Sequence, residues 1–309
     1  MLHPQSQAAL HASAGQPAVG SADFDLQAAR EQQRALAAEQ VREPVAEIHD
    51  VDADGVPCRL YRPASAGSST DGAGVVVHLH GGGFALNDVD VHDAAARRLA
   101  NRSGAAVLSV DYRRPPEHPF PAAPDDVDTV VRWLTRVGSS YRLDTERVVV
   151  HGDSAGANLA LVAALRNPGR FRALVLIYPF IDARMRHASY DTEVGGLDRA
   201  EASWYWEQYA ARPADLDDPD FSPYDDSDRL GALPPTLVVT AEHDPLRDEG
   251  EELSARMARA GVEVVATRYL GMIHGFWRHV DAFDAAEPLT RQVAGFVDLH
   301  LRRPRGSLT

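Results

Sequence analysis

Among the residues that could do chemistry, one serine stands out by its surroundings. Gly152-Asp153-Ser154-Ala155-Gly156 follows the β-branched run Val148-Val149-Val150 and leads into an Ala/Leu-rich stretch, Ala157-Asn158-Leu159-Ala160. A strand, a tight turn and a helix in that order hold a serine in a strained backbone conformation, with Oγ projecting past the carboxyl end of a sheet. Gly152 and Gly156 let strand, turn and helix approach without Cβ clashes. The helix aims its free N–H groups and the positive end of its dipole at any oxyanion formed beside Ser154. The five-residue pattern alone arises by chance as a glycine-bounded turn. The strand before it and the helix after it favour a nucleophile.

A serine hydroxyl reacts only when an imidazole takes its proton, and the imidazole needs a carboxylate to fix its tautomer and stabilise its cation. The chain has 13 histidines, so position must choose. The base should follow the last strand, on a loop free to lean over the serine. His274, in Gly271-Met272-Ile273-His274-Gly275-Phe276, meets that requirement, and His279 is the runner-up near the start of the last helix. His78 and His151 lie within apolar strands and read as satisfied structural histidines. The acid should lie just past the preceding strand, and Asp244 does, with Pro245 stiffening the turn. Glu242 comes slightly early, while Asp248 reads as a helix N-cap with Glu251 completing a capping box. The order is then Ser…Asp…His.

The developing oxyanion requires donors already in place. His80-Gly81-Gly82-Gly83-Phe84 directly follows the apolar run Val75 to Leu79. Consecutive glycines cost conformational entropy. Backbone amides brought close to a carbonyl oxygen give them a purpose that a merely flexible turn does not.

The elements that must position these groups follow from the pattern of the chain. At 309 residues, 44% hydrophobic and 25% charged, the chain suits one large α/β domain or a domain with an insertion. A net charge of −14, with every basic residue an arginine, excludes nucleic acid and anionic membrane surfaces as partners. The single cysteine, Cys58, excludes an intrachain disulfide and a multi-cysteine metal site and reads as a small buried hydrophobe. No basic start followed by an apolar run marks a signal peptide, and no stretch reaches membrane-span length, so a cytoplasmic setting is expected.

Residues 1–21 read as a loose polar tail, and 23–43 as an amphipathic helix stopped by Pro44. Val45 to Tyr61 reads as a hairpin turning at Asp52-Ala53-Asp54-Gly55, and Ala64 to Gly74 as a surface loop. Strands at 75–79, 105–110, 148–150, 173–178, 236–240 and 262–269 alternate with helices at 93–102, 125–137, 249–260 and 282–302. That alternation predicts a mostly parallel central sheet flanked by helices. It breaks between Pro179 and Leu233, where Asp, Pro and aromatics surround one helix-like piece at Trp204 to Tyr209. The expected organisation is an N-terminal arm (1–44), a core in two parts (45–179 and 231–309), and an insertion (180–230) over the carboxyl edge of the sheet. A frayed tail follows Arg302.

Taken together, His80-Gly81-Gly82-Gly83-Phe84, Asp111-Tyr112-Arg113, Pro116-Glu117-His118-Pro119-Phe120-Pro121, Gly152-Asp153-Ser154-Ala155-Gly156, Asp244-Pro245-Leu246-Arg247-Asp248-Glu249-Gly250 and His274-Gly275-Phe276 resemble the bacterial hormone-sensitive-lipase-like (family IV) esterases of the α/β-hydrolase superfamily. The resemblance spans roughly Val75 to Trp277. It implies Ser154 as nucleophile, His274 as base and Asp244 as orienting acid, with the amides of Gly82, Gly83 and Ala155 as oxyanion hole. It implies a cap made from the arm and the insertion, no cofactor and no metal, and a preference for short- to medium-chain esters. Ala157 stands where the family usually has a third glycine, and Arg114-Pro115 replaces the usual Leu-Ala.

The apolar wall is expected from Phe84, Trp204, Tyr209 and Phe276, with Tyr205 and Trp206 as further candidates. Trp204 and Trp206 suit the core equally well. A lactone, carbamate or amide would suit the same apparatus. A ligand-binding protein on this scaffold is disfavoured by the presence of His274 in its motif. The partner is a small-molecule ester, with no stable membrane association. The sequence leaves a homodimer open.

Overall fold

The structure, a computed structural model, describes residues 1–65, 72–193 and 195–302. Most of the expected loop at 64–74, namely 66–71, and the expected tail at 303–309 lie outside the described residues.

The hairpin forms from β1 (Glu47–Ala53) and β2 (Val56–Arg62), with Ala53 opposite Val56. Asp54 and Gly55 close it with φ of 57° and 91°, the two-residue primed turn whose twist matches the strands. The alternating part of the chain supplies β3 (Ala73–Leu79), α3 (Asp93–Ser103), β4 (Ala106–Val110), α4 (Ala122–Val137), β5 (Leu143–Asp153), α5 (Ala155–Arg166) and β6 (Ala173–Ile177). After the interruption come β7 (Thr236–His243), α8 (Arg247–Arg259), β8 (Val264–Ile273) and α9 (Ala286–Arg302). All eight strands join one sheet in the order β1-β2-β4-β3-β5-β6-β7-β8. The pairings of β1 with β2 and β2 with β4 are antiparallel, and the rest are parallel.

The central strands read as continuous apolar runs because both faces are covered. Val75, Val77, Val148, Val150, Leu174 and Leu176 face α4, α5 and α8, packing with Val127, Leu159 and Leu253. Their alternates Val76, Val149, Val175 and Ile177 face α3 and α9, packing with Leu99, Leu289 and Val293. Strand β3 lies between β4 and β5, so the chain leaves it in one direction and returns on the other side. At such a switch point the loops beyond the carboxyl ends diverge and leave a crevice. Leu79 pairs with Gly152 there, which sets the glycine run beside the serine turn.

Three expectations need correction. The first residues are not a loose tail: Pro4–Ser13 forms helix α1, its first turn capped by His3, whose Nδ1 accepts from the Gln5 amide at 3.2 Å. Ser6 Oγ donates to Gly271 O at 2.8 Å, and the His3 amide donates to the same carbonyl at 3.0 Å. These polar contacts dock the helix together with only two apolar side chains, Ala9 and Leu10, which is why no apolar period announces it. The arm continues in α2 (Leu26–Ala38), N-capped by Asp25 and anchored by buried Arg30, which bonds Ala85 O, Pro115 O and Glu117. The expected capping box at Asp248 is also absent: Asp248 lies inside α8 and accepts from the Ser189 amide at 3.0 Å, while Glu251 pairs with Arg268. The last helix starts at Ala286, four residues later than expected.

Within the interruption lie α6 (Ser189–Thr192) and α7 (Arg199–Tyr209). Buried groups tie it to the core: Asn158 Nδ2 donates to Phe180 O and Phe221 O, and Glu249 accepts from the Ile181 amide and Tyr190 OH. Among the described residues no helix is long and apolar enough to cross a membrane.

Candidate active site

Ser154 caps α5 with φ 56° and ψ −122°, a left-handed setting that a residue with a Cβ rarely adopts. The surrounding structure over-determines it. Its amide donates to Ile177 O at 2.9 Å. A Cβ on Gly156 would lie 2.0 Å from Leu79 O, and one on Gly152 would lie 2.1 Å from Gly156 O. The turn can be this tight only with glycine at both ends.

Ser154 Oγ lies 2.9 Å from His274 Nε2, and His274 Nδ1 lies 2.8 Å from Asp244 Oδ2. Asp244 is fully buried, and its other oxygen accepts from the Leu246 amide at 2.9 Å. These three residues leave β5, β7 and β8 at the same edge of the sheet. Burial is the largest single influence on the His274 imidazole and lowers its pKa. The charge and hydrogen bond of Asp244, with the charges of Asp153 and Glu201, outweigh it, so the net shift is upward. The runner-up His279 sits beside the same cavity but is held neutral, pushed down to about 3 by burial, Arg278 and Arg98.

Gly82 and Gly83 turn with φ of 127° and 57°, and a Cβ on Gly83 would strike the Tyr205 ring at 2.2 Å. Among the described residues the amides of Gly82, Gly83 and Ala155 donate to no protein acceptor. The loop is braced from behind. Asp153 Oδ1 accepts from the Gly81 amide at 3.0 Å, Asn87 Nδ2 donates to Gly81 O at 3.0 Å, and Tyr112 OH donates to His80 O at 2.7 Å. Nothing in the local sequence marks Asp153 for this brace, although it stands next to the serine. Burial pushes its carboxyl up to about 6.

A cavity of about 350 Å³ opens onto Ser154 and His274. Its walls come from Gly82, Gly83, Leu86, Tyr178, Phe180, Leu197, Glu201 and Tyr205, from Ala9, Leu10 and Ser13 of α1, and from Gln33, Arg278 and Phe283. None of the four residues expected as wall, Phe84, Trp204, Tyr209 and Phe276, lines this cavity. Phe84 is fully buried, stacked face to face on Tyr209 at 3.8 Å, and Tyr209 is as deeply buried. Phe276 packs with Tyr269 and Phe283 against the cluster on the α9 side. Trp204 packs edge-on against Phe24 of the arm at 5.3 Å. Helical period explains the outcome on α7: Glu201 and Tyr205, four residues apart, face the cavity, whereas Ala202, Trp206 and Tyr209 face the core.

Behind the glycine loop His78 Nδ1 and His151 Nδ1 lie 2.9 Å apart. These histidines are only half satisfied, since among the described residues neither Nε2 has a partner, nor does either nitrogen of His92. His78, His92 and Asp153 bring one ligand atom each within 4.8 Å of the others, the group among the described residues that could hold a metal ion. Burial keeps both rings neutral, and Asp153 is already engaged by Gly81.

A family model described as the alpha/beta hydrolase fold matches residues 76–278, well over half of the chain. The chain belongs to that family. An ethyl acetate hydrolase from Pseudomonas putida is 34% identical to this hydrolase over 286 residues, covering 88% of each. An arylesterase from Saccharolobus solfataricus is 32% identical over 264 residues, 82% of this chain and 85% of its own. The solved structure of an esterase from Pyrobaculum calidifontis matches with a TM-score of 0.88 at 35% identity, covering 97% of this chain and 99% of that one. The resemblance to hormone-sensitive-lipase-like esterases is borne out, and this hydrolase is a carboxylic ester hydrolase.

Proposed function

We propose that this hydrolase is a serine carboxylesterase that cleaves short- to medium-chain acyl esters through Ser154, His274 and Asp244 and an acyl-enzyme. The observation that carries the reading is the unbroken run of hydrogen bonds from Ser154 Oγ through both imidazole nitrogens to buried Asp244. Oγ attacks the ester carbonyl as its proton passes to His274 Nε2, and Asp244 stabilises the imidazolium that forms. The negative charge on the carbonyl oxygen is met by the amides of Gly82, Gly83 and Ala155, fixed in place before reaction. The imidazolium then protonates the leaving alkoxide as the C–O bond breaks. Water, deprotonated by the same nitrogen, attacks the acyl-enzyme and releases the acid and free Ser154.

The arm (1–44) and the insertion (180–230) serve as a cap, since residues of α1, α2 and α7 line the cavity with the serine. A cavity of about 350 Å³ is at the small end for a ligand site and supports short acyl groups. With a p-nitrophenyl acetate assay, Ser154→Ala is expected to lower kcat by roughly four to six orders of magnitude. Turnover within tenfold of the parent enzyme would sink the assignment.

A further inference from the structure

The cavity holds a cation that the acyl-transfer reaction does not use. Arg278, four residues past His274, lines the cavity together with Ser154. Among the described residues no carboxylate forms an ion pair with it, and its recorded side-chain partner is the neutral Gln33 Oε1, at 3.1 Å. Burial weakens its hold on the proton, but a guanidinium remains charged in a protein. Arg98 donates to Arg278 O at 3.0 Å and so fixes the backbone that carries the guanidinium. Moving a cation out of water is costly unless an anion or several acceptors compensate it. Asp153 offsets part of this charge from beyond ion-pair distance, which leaves the fork of the guanidinium without a carboxylate on it among the described residues, and Arg278 lines the space that substrate must enter.

We propose that Arg278, flanked by Gln33, forms an anion subsite in the reaction cavity and that this hydrolase prefers esters bearing a second, free carboxylate. The inference rests on Ser154 being the nucleophile. A carboxylate matches the planar fork of a guanidinium and accepts two parallel hydrogen bonds. A phosphate fits less well. It brings nearly two charges into a cavity that also contains Glu201 and borders Asp153. Burial pushes Glu201 up to about 7, so near neutral pH it is partly protonated and repels a single carboxylate less. The carboxylate can belong to the acyl half, as in a dicarboxylic hemiester, or to the alcohol half, as in an acylated hydroxy acid.

Two matched pairs of esters separate these sources. Ethyl hydrogen succinate is compared with ethyl isocaproate, and O-acetylglycolate with isobutyl acetate; each neutral partner carries an isopropyl group where the acid carries its carboxylate. In at least one pair the acid is expected to win by tenfold or more in kcat/KM, chiefly through KM. Arg278→Leu is expected to shrink that ratio 10- to 100-fold, and Arg278→Lys, a point charge without the fork, to restore part of it. Because the ratio is taken within each variant, a general loss of activity does not imitate the effect. Should Arg278→Leu fail to fold, butyrate is expected to inhibit isobutyl acetate hydrolysis competitively in the unaltered protein and butanol to do so far less.

Neutral esters favoured in both pairs, or a ratio unmoved by Arg278→Leu, would overturn the subsite and leave the esterase reading standing. No turnover of any ester, with no labelling of Ser154 by a fluorophosphonate, would remove the nucleophile and the subsite with it.

Discussion

His274 gathers most of the electrostatics of the site. In the proposed mechanism it must be neutral to accept the serine proton, so activity is expected to be lost as pH falls through its pKa. That pKa is raised, so the acid limb of kcat/KM is expected above the ordinary imidazole value of about 6.5. Part of the elevation comes from Glu201, whose own carboxyl sits at about 7 and whose negative charge favours the imidazolium. Glu201→Gln removes that charge and is expected to move the acid limb to lower pH, with the gain in relative rate over the parent largest near pH 7, where Glu201 still carries charge, and small by pH 6. An unmoved limb in a pH–rate profile on a neutral ester would show that Glu201 does not act on His274. His274 and Asp244 were legible in the sequence because each directly follows a strand in the right order. Asp153, Glu201 and Arg278 were not, since their roles depend on groups far away in the chain: Gly81 for the first, His274 for the second and the cavity for the third.

Helix α1 is held by polar contacts at Gly271 and Asp284 and by Ala9 and Leu10 packed on the cluster of the α9 side. It also closes one wall of the cavity with Ala9, Leu10 and Ser13. Deleting residues 1–20 is expected to raise KM for acetyl esters about tenfold and move the optimum toward longer acyl chains. An unchanged chain-length profile on a p-nitrophenyl ester series would mean that α1 is no part of the pocket. The aromatic residues illustrate the limit of reading an element from its neighbours. Phe84 follows a catalytic loop, yet a φ of 62° and the stack on Tyr209 turn it into the core. On α7 the sequence marks an aromatic helix, but the packing around it decides that Tyr205 rather than Trp206 lines the cavity.

Over the whole molecule, a charge of −14 opposes the approach of an anionic ester, whatever Arg278 does at short range. Screening relieves the long-range repulsion more than it weakens a partly buried pair. Raising ionic strength from about 10 to 150 mM is therefore expected to increase kcat/KM for ethyl hydrogen succinate severalfold, mainly as a faster on-rate, while ethyl isocaproate stays level. A fall for the acid ester would place the controlling charge in the cavity alone. The alternation of apolar strands and amphipathic helices was enough to determine a parallel sheet covered on both faces, because burial on two sides demands that pattern. The serine turn, the glycine run and the order Ser…Asp…His were equally local, being matters of residue type at strand ends. Only the tertiary structure decided which face of α7 lines the cavity, that the first helix docks at all, and that Arg278 lines the same cavity as Ser154. Those outcomes depend on contacts between segments hundreds of residues apart, such as Ser6 with Gly271 and Gln33 with Arg278, and no local period encodes them.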